Sequence, residues 1–203
     1  LIAGVLRTPA DPRISFGDDP LRMLRAARFS AQLGFRVEEA TAEAIAELRE
    51  TLKIVSPERI QSELVRLMQT DDPVRGIRVL VDTGLIDEFL PEVTDLRLEV
   101  DEHHHHKDVY EHSLTVLAQA IQLEHSRHPG AAPDVPLRIA ALLHDIGKPR
   151  TRKLEAGGVV TFHHHDVVGS RMARKRLQAL RFDSATTDAV ATLIELHLRF
   201  FGY

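Results

Sequence analysis

Residues 137–148, LRIAALLHDIGK, constrain this chain more than any other stretch. Seven of the first ten are apolar, as in a buried helix, yet the stretch closes on His144, Asp145, Gly147 and Lys148. An imidazole and a carboxylate at the end of an apolar helix are costly to bury unless something pairs with them. A divalent metal does this well, because neutral imidazole and carboxylate are both ready ligands. Gly147 is placed to end the helix in a left-handed conformation, and Pro149 to prevent its continuation.

The rest of the chain sets the frame for that segment. Its 203 residues can bury one large core or two small ones. Apolar content of 43% with 28% charged residues is ordinary for a globular protein, and a net charge of −4 makes any anion site a local feature. The absence of Cys removes disulfides, thiolate catalysis and Cys-based zinc sites together. No apolar run has the length of a membrane span, and the N-terminus lacks the pattern of a signal peptide. The first residue is Leu, so the sequence reads as a piece of a longer, cytoplasmic polypeptide.

Residues 1–17 read as a lead-in, with Pro9, Pro12 and Gly17 spoiling regular structure. A helix starts at Asp19-Pro20, since Asp is a good N-cap and Pro suits the first helical position, and Gly34 ends it. Further helices are expected at 39–52, from Ser56-Pro57, from Asp72-Pro73 and just before Pro91. Residues 91–108, with the histidine run 103–106, read as a solvated linker. Helices resume near 109–123, 135–146, 166–180 and 184–198, with one candidate strand at 159–162 after the Gly157-Gly158 turn. The fold class is therefore all-α, in two helical domains, 1–100 and 101–203.

All twelve histidines lie in the second half. His112, His144, His165 and His197 each fall on a separate expected helix or helix end, and Asp145 adds a carboxylate. Ligands spaced in this way are what a helical bundle needs when each helix contributes one inward side chain. A carboxylate between two histidine pairs could bridge two metals, which would activate water for attack on phosphorus. His163 and His164 flank this set. Two basic clusters, Lys148, Arg150, Arg152 and Lys153, and Arg171, Arg174, Lys175 and Arg176, read either as solvated surface or as an RNA backbone contact.

In the first half, Arg22, Arg25 and Arg28 follow Pro20 at i, i+3 and i+6, an arc of roughly 120° on one helix side. Leu21, Leu24 and Phe29 are available for packing. Cations in a first turn oppose the helix dipole. Asp18 and Asp19 offset this and are expected to hold the Arg22 guanidinium in a fixed pose, giving directional donors and acceptors for base edges or phosphates.

The set His112, His144-Asp145-Ile-Gly-Lys148, His165 and His197 resembles the HD superfamily of metal-dependent phosphohydrolases over residues 107–203. The resemblance implies a first divalent metal on His112, His144 and Asp145, a second on His165 and His197, and a substrate phosphate meeting Lys148. The family pattern includes a further Asp on a later helix, which the sequence does not reach by Tyr203.

Residues 16–35, FGDDPLRMLRAARFSAQLGF, resemble the neck of class II tRNA nucleotidyltransferases and bacterial poly(A) polymerases, and residues 54–64 resemble the neck's next motif. That resemblance spans 4–91. It implies that Asp18, Asp19 and Arg22 read the base edge of incoming CTP or ATP; Arg25 and Arg28, on the same helix side by spacing, are expected to join the nucleotide-binding set. Asp18 stands where the family usually has Glu. Glu58 and Arg59 would brace the neck. The family's catalytic head, whose carboxylates bind Mg²⁺, would precede Leu1. The implied function is addition of CTP- and ATP-derived nucleotides to the tRNA 3′ end by the intact protein, with poly(A) addition as the alternative the same neck allows. A stand-alone HD phosphohydrolase and a non-catalytic RNA-binding module are the rival readings.

Overall fold

The computed structural model describes residues 4–98, 108–155 and 158–199; the histidines 103–106 and Gly157 lie outside them. It forms two compact units, Leu1–Pro91 and Glu92–Tyr203. The division falls at the start of the segment 91–108 read as a linker, ahead of the boundary expected near residue 100. The helical turn Glu92–Asp95 already belongs to the second unit, where Glu92 receives the Arg176 guanidinium at 2.8–3.0 Å. As the sequence implies, the fold is all-α with a few two-residue strands.

The first unit opens with β1 (Val5–Leu6), which pairs in parallel with β2 (Arg36–Val37). Between them lie α1 (Pro12–Asp18) and α2 (Leu21–Leu33). The lead-in is therefore not irregular. Asp11 caps α1 through the Arg13 amide with Pro12 in the first turn, and Phe16 is buried on its inner face. In α2 the Asp19 carboxylate accepts from the Leu21 amide at 3.3 Å, and Gly34 ends the helix at φ 67°.

Helices α3 (Glu39–Leu48), α4 (Pro57–Met68) and α5 (Pro73–Asp82) follow, with a 3-10 segment, Arg49–Ile54, after α3. Helix α2 packs on α4 and α5, and α1 packs on α3. Gly76 permits a close approach of α5 to α2: a Cβ there would sit 2.9 Å from the Ala27 carbonyl oxygen. Met23, Leu24, Ala27, Leu64, Leu67 and Ile77 fill the interface. Phe29, expected to pack, is instead 38% exposed, with the Arg28 guanidinium 4.2 Å above its ring.

In the second unit α6 (Glu92–Asp95) is followed by α7 (Val109–Arg127), α8 (Val135–Leu143), the short α9 (Lys148–Thr151), α10 (His165–Ala179) and α11 (Ser184–Leu196). Strands β3 (Lys153–Leu154) and β4 (Val160–Thr161) make an antiparallel hairpin between α9 and α10. Helix α8 packs on α7 and α11, and α11 packs on α10. The apolar α8 hides one charge: Arg138 is fully buried and donates from Nε to Glu124 of α7 at 2.8 Å. Among the described residues, no helix is long and apolar enough to cross a membrane.

Candidate metal centre and neck cluster

The five expected metal ligands converge. His112 comes from the first turn of α7, His144 and Asp145 from the turn after α8, His165 from the start of α10 and His197 from the end of α11. Asp145 is almost fully buried at the centre. Its Oδ2 lies 3.1 Å from His144 Nε2 and 3.8 Å from His112 Nε2. Its Oδ1 lies 3.2 Å from His165 Nε2 and 3.9 Å from His197 Nε2. Two overlapping ligand sets share this carboxylate: His112, His144 and Asp145, and Asp145, His165 and His197.

Gly147 makes the convergence possible, by a different route from the expected one. Its φ of −77° is ordinary right-handed backbone, so it is not a left-handed helix stop. Pro149 does not end structure either, since it lies in the first turn of α9. What the position requires is the missing Cβ, which would fall on the His165 carbonyl oxygen and lie 2.8 Å from the Gly169 nitrogen. The turn carrying His144 and Asp145 thereby rests directly on the backbone of α10.

One device orients three of the rings. Nδ1 of His144, His165 and His197 lies 2.9, 2.8 and 2.6 Å from the carbonyl oxygen three residues earlier, that of Ala141, Phe162 and Ile194. Two of these carbonyls belong to the last turns of α8 and α11, where helices leave acceptors unsatisfied. A carbonyl can only accept, so each Nδ1 donates, and a neutral ring then presents the Nε2 lone pair to the centre.

The result is acceptor against acceptor. His165 and His197 Nε2 are 3.2 Å apart, and the Asp145 Oδ2 is buried without a well-formed hydrogen bond. Such a set requires a positive bridge. A proton is one: burial pushes the Asp145 carboxyl up, but hydrogen bonds from His144 and His165 and the charges of His144 and Lys148 outweigh this and hold it well below the usual carboxylate range. A divalent ion is the other. Two ligands about 2.1 Å from one ion at a right angle stand about 3 Å apart, which the His165–His197 spacing matches. Burial also pushes His197 below the usual imidazole value, favouring the neutral form that binds metal. The residues present fit a divalent metal.

Lys148, expected at a substrate phosphate, is buried with Nζ 3.0 Å from Asp145 Oδ2 and 5.6 Å from the Phe162 ring centroid. His163 and His164 are exposed beside the ligand set, His164 with φ 62°. The second basic cluster is partly committed internally, Arg174 to Asp188 and Arg176 to Glu92.

In the neck, the residues cluster but their pairing differs from expectation. Arg22 is not held by Asp18 or Asp19; its Nη1 donates to the Ser15 carbonyl and hydroxyl at 3.1 and 3.2 Å. Asp19 faces Arg25 at 3.9 Å and Arg59 at 3.4 Å, so Arg59 braces the acidic motif itself. Asp18 is exposed at the end of α1. Arg25 and Arg28 turn inward to Glu63 of α4, at 3.3 and 2.8 Å.

Residues 34–96 match the family described as the probable RNA and SrmB-binding site of polymerase A, and residues 109–202 match the HD domain family. The chain is 37% identical over 186 residues to the A-adding tRNA nucleotidyltransferase of Deinococcus radiodurans, covering 89% of this chain and 42% of that protein. It is 35% identical to the CC-adding tRNA nucleotidyltransferase of Thermus thermophilus, with the same coverage of 89% and 42%. The chain belongs to the tRNA nucleotidyltransferase family, as a neck plus HD region. It spans less than half the length of these relatives. A solved structure of a tRNA nucleotidyltransferase with a primer tRNA and an incoming ATP analogue shares the fold, with a TM-score of 0.60 at 16% identity over 99% of this chain and 48% of that one.

Five contributors to this nucleotidyltransferase neck and HD region have no role in the sequence-based reading: Ser15, Glu63 and the three ring-orienting carbonyls. The carbonyls had a local signal, an i−3 backbone acceptor at helix ends. Ser15 and Glu63 had none, since their partners come from other helices.

Proposed function

We propose that this chain is the neck and HD portion of a nucleotidyltransferase that completes the CCA 3′ end of tRNA in the cytoplasm. The observation that carries the reading is the joining, in one chain, of an α1–α2 turn carrying Asp18, Asp19 and Arg22 to a metal-ligand cluster built on His144 and Asp145. In the intact protein, Asp19 and Arg22, with Asp18, select CTP or ATP by the base edge, and neck helices support the RNA 3′ end. Carboxylates of a head outside this sequence would hold Mg²⁺ for the transfer itself.

In the HD unit, His112 and His144 with Asp145 Oδ2, and His165 and His197 with Asp145 Oδ1, would hold divalent ions. Bound there, such ions would supply Lewis acidity for hydrolysis of a phosphoester such as a cyclic phosphate on a damaged RNA end. Ala141, Phe162 and Ile194 keep the rings oriented, and Lys148 would meet the substrate phosphate once Asp145 is otherwise satisfied.

The first test uses the full-length parent protein, tRNA lacking its 3′ CCA, and labelled CTP and ATP. Ordered addition of C, C and A is the expected result; untemplated runs of A would replace the reading with poly(A) addition. The A-adding relative favours a second reading, in which the parent adds A only to tRNA already ending in CC. The HD assignment is checked separately: His144→Ala with Asp145→Ala should abolish most bound metal, and equal metal content in variant and wild type would overturn it.

A further inference from the structure

Glu63 is a charged group that neither the base-reading motif nor the metal cluster uses. It sits on α4, which begins at Ser56-Pro57, and its side chain is 3% exposed. Its Oε2 accepts from Arg28 Nε at 2.8 Å, while Oε1 accepts from Arg25 Nε at 3.3 Å and from Arg66 Nη1 at 3.4 Å. A carboxylate this far from water is tolerable only while its cations stay in place. Two of the three arginines on this arc of α2 are thus held by a residue 35 to 38 positions later in the chain.

The link continues outward. The Arg25 guanidinium that donates to Glu63 through Nε has Nη1 3.9 Å from Asp19 Oδ2. Asp19 Oδ1 is occupied on its other side by the Leu21 amide at 3.3 Å and Arg59 at 3.4 Å. One planar, delocalised group therefore spans a buried carboxylate and a half-exposed one. A guanidinium held at one edge fixes the direction of its other donors, which an ammonium on a flexible stem does not.

We infer that Glu63 is a positioning residue for nucleotide selection: it acts through Arg25 to set the Asp19 carboxylate, and Arg25 and Arg28 serve this scaffold rather than the nucleotide. The inference rests on the reading of Asp19 and Arg22 as base readers. Holding Arg25 on Glu63 keeps its Nη1 3.9 Å from Asp19 Oδ2, beyond close hydrogen-bond distance. Arg59 and the Leu21 amide occupy Oδ1, so Oδ2 is the oxygen left to meet a base edge. Without the anchor Arg25 would be free to fold over Asp19 and compete with the base edge.

The test is steady-state kinetics on the full-length parent with each of CTP, ATP, UTP and GTP, together with thermal melting. Asp19→Ala, Glu63→Gln and Arg25→Lys are compared with wild type. Glu63→Gln should raise KM for the correct nucleotide about tenfold or more and narrow discrimination against UTP and GTP, with KM for tRNA unchanged. Arg25→Lys keeps the charge yet should fail to restore selectivity, because a lysine cannot direct donors at both carboxylates. If Glu63→Gln proves unstable, Arg25→Gln cuts the same link while Arg28 and Arg66 still neutralise Glu63, and the same kinetic split is required of it. Impaired selection in Asp19→Ala but wild-type selection in a folded Glu63 or Arg25 variant overturns the inference and leaves the base-reading assignment standing. Wild-type selection in Asp19→Ala overturns both.

Discussion

The two units solve the problem of clustered charge in opposite ways. In the neck each arginine of the α2 arc meets an anion or a carbonyl: Arg22 on Ser15, Arg25 on Asp19 and Glu63, Arg28 on Glu63. The protein alone satisfies the cluster, and Asp18 and Arg22 remain exposed to meet a ligand. In the HD unit acceptors face acceptors around a buried Asp145. The protein supplies the geometry and a single cation, Lys148 at 3.0 Å from Asp145 Oδ2, against one carboxylate and four imidazoles. Similar residue types therefore give a charge cluster balanced by the protein's own side chains in one case and a set of converging acceptors that fits a divalent ion in the other.

The comparison breaks most visibly where the HD unit does pair its own charges. Arg138→Met removes the buried countercharge of Glu124 and should cost about 3–5 kcal/mol in denaturant unfolding, with the neck transition unmoved. Burial pushes the Glu124 carboxyl up, but the Asp134 amide and Arg138 overcome this and hold it below its usual value. Because the folded-state value is the lower one, this stabilisation is present above the ordinary glutamate pKa and is lost as pH falls through the folded value. Glu124→Gln should accordingly flatten the acid limb of a stability–pH curve; an unchanged limb would remove Glu124 from the account.

Ion removal sharpens the contrast at the next level. If ions bridge the Asp145 cluster, a chelator should lower the HD transition and spare the neck, by about 2.7 kcal/mol where free metal had stood at a hundred times its dissociation constant. Calorimetry with and without chelator reads this directly, and equal shifts in both transitions would contradict it. Gly147→Ala should destabilise the same unit by about 1–3 kcal/mol and reduce bound metal, because the new methyl meets backbone rather than a yielding side chain. Gly169→Ala should be milder, its nearest contacts being 3.2 Å to Gly147 N and 3.4 Å to Ile194 Cγ2.

How much of this was legible in the sequence follows the range over which each interaction acts. The helix starts at Asp19-Pro20, Ser56-Pro57 and Asp72-Pro73 depend on adjacent residues and could be read there. So could the ligand set, because each histidine is tied to a helix end and Asp145 to its neighbour. Helix α1 is legible too, since Asp11-Pro12 is the same starting device; Pro12 and Gly17 look like breakers only while the burial of Phe16 is out of sight. Gly147 carried a correct signal with another cause, close backbone approach in place of a left-handed turn. The partners of Arg22, Arg25 and Arg28 were out of reach, since helix packing, not sequence spacing, brings Ser15 and Glu63 to them.

The smallest predicted effect tests whether pairing alone gives the neck its stability. Arg13 of α1 donates to Glu47 of α3 at 2.8 Å, with side chains 48% and 55% exposed. The distance is as short as that of the buried Arg138–Glu124 pair, yet water screens both charges and ordering two long side chains costs entropy. A double-mutant cycle with Arg13→Ala and Glu47→Ala should return a coupling of about 0.2–1 kcal/mol, falling further as salt is added. A coupling near that of Arg138–Glu124 would mean that α1 is anchored by charge. A small one leaves the burial of Phe16 to hold α1, and with it the Ser15 contact that orients Arg22.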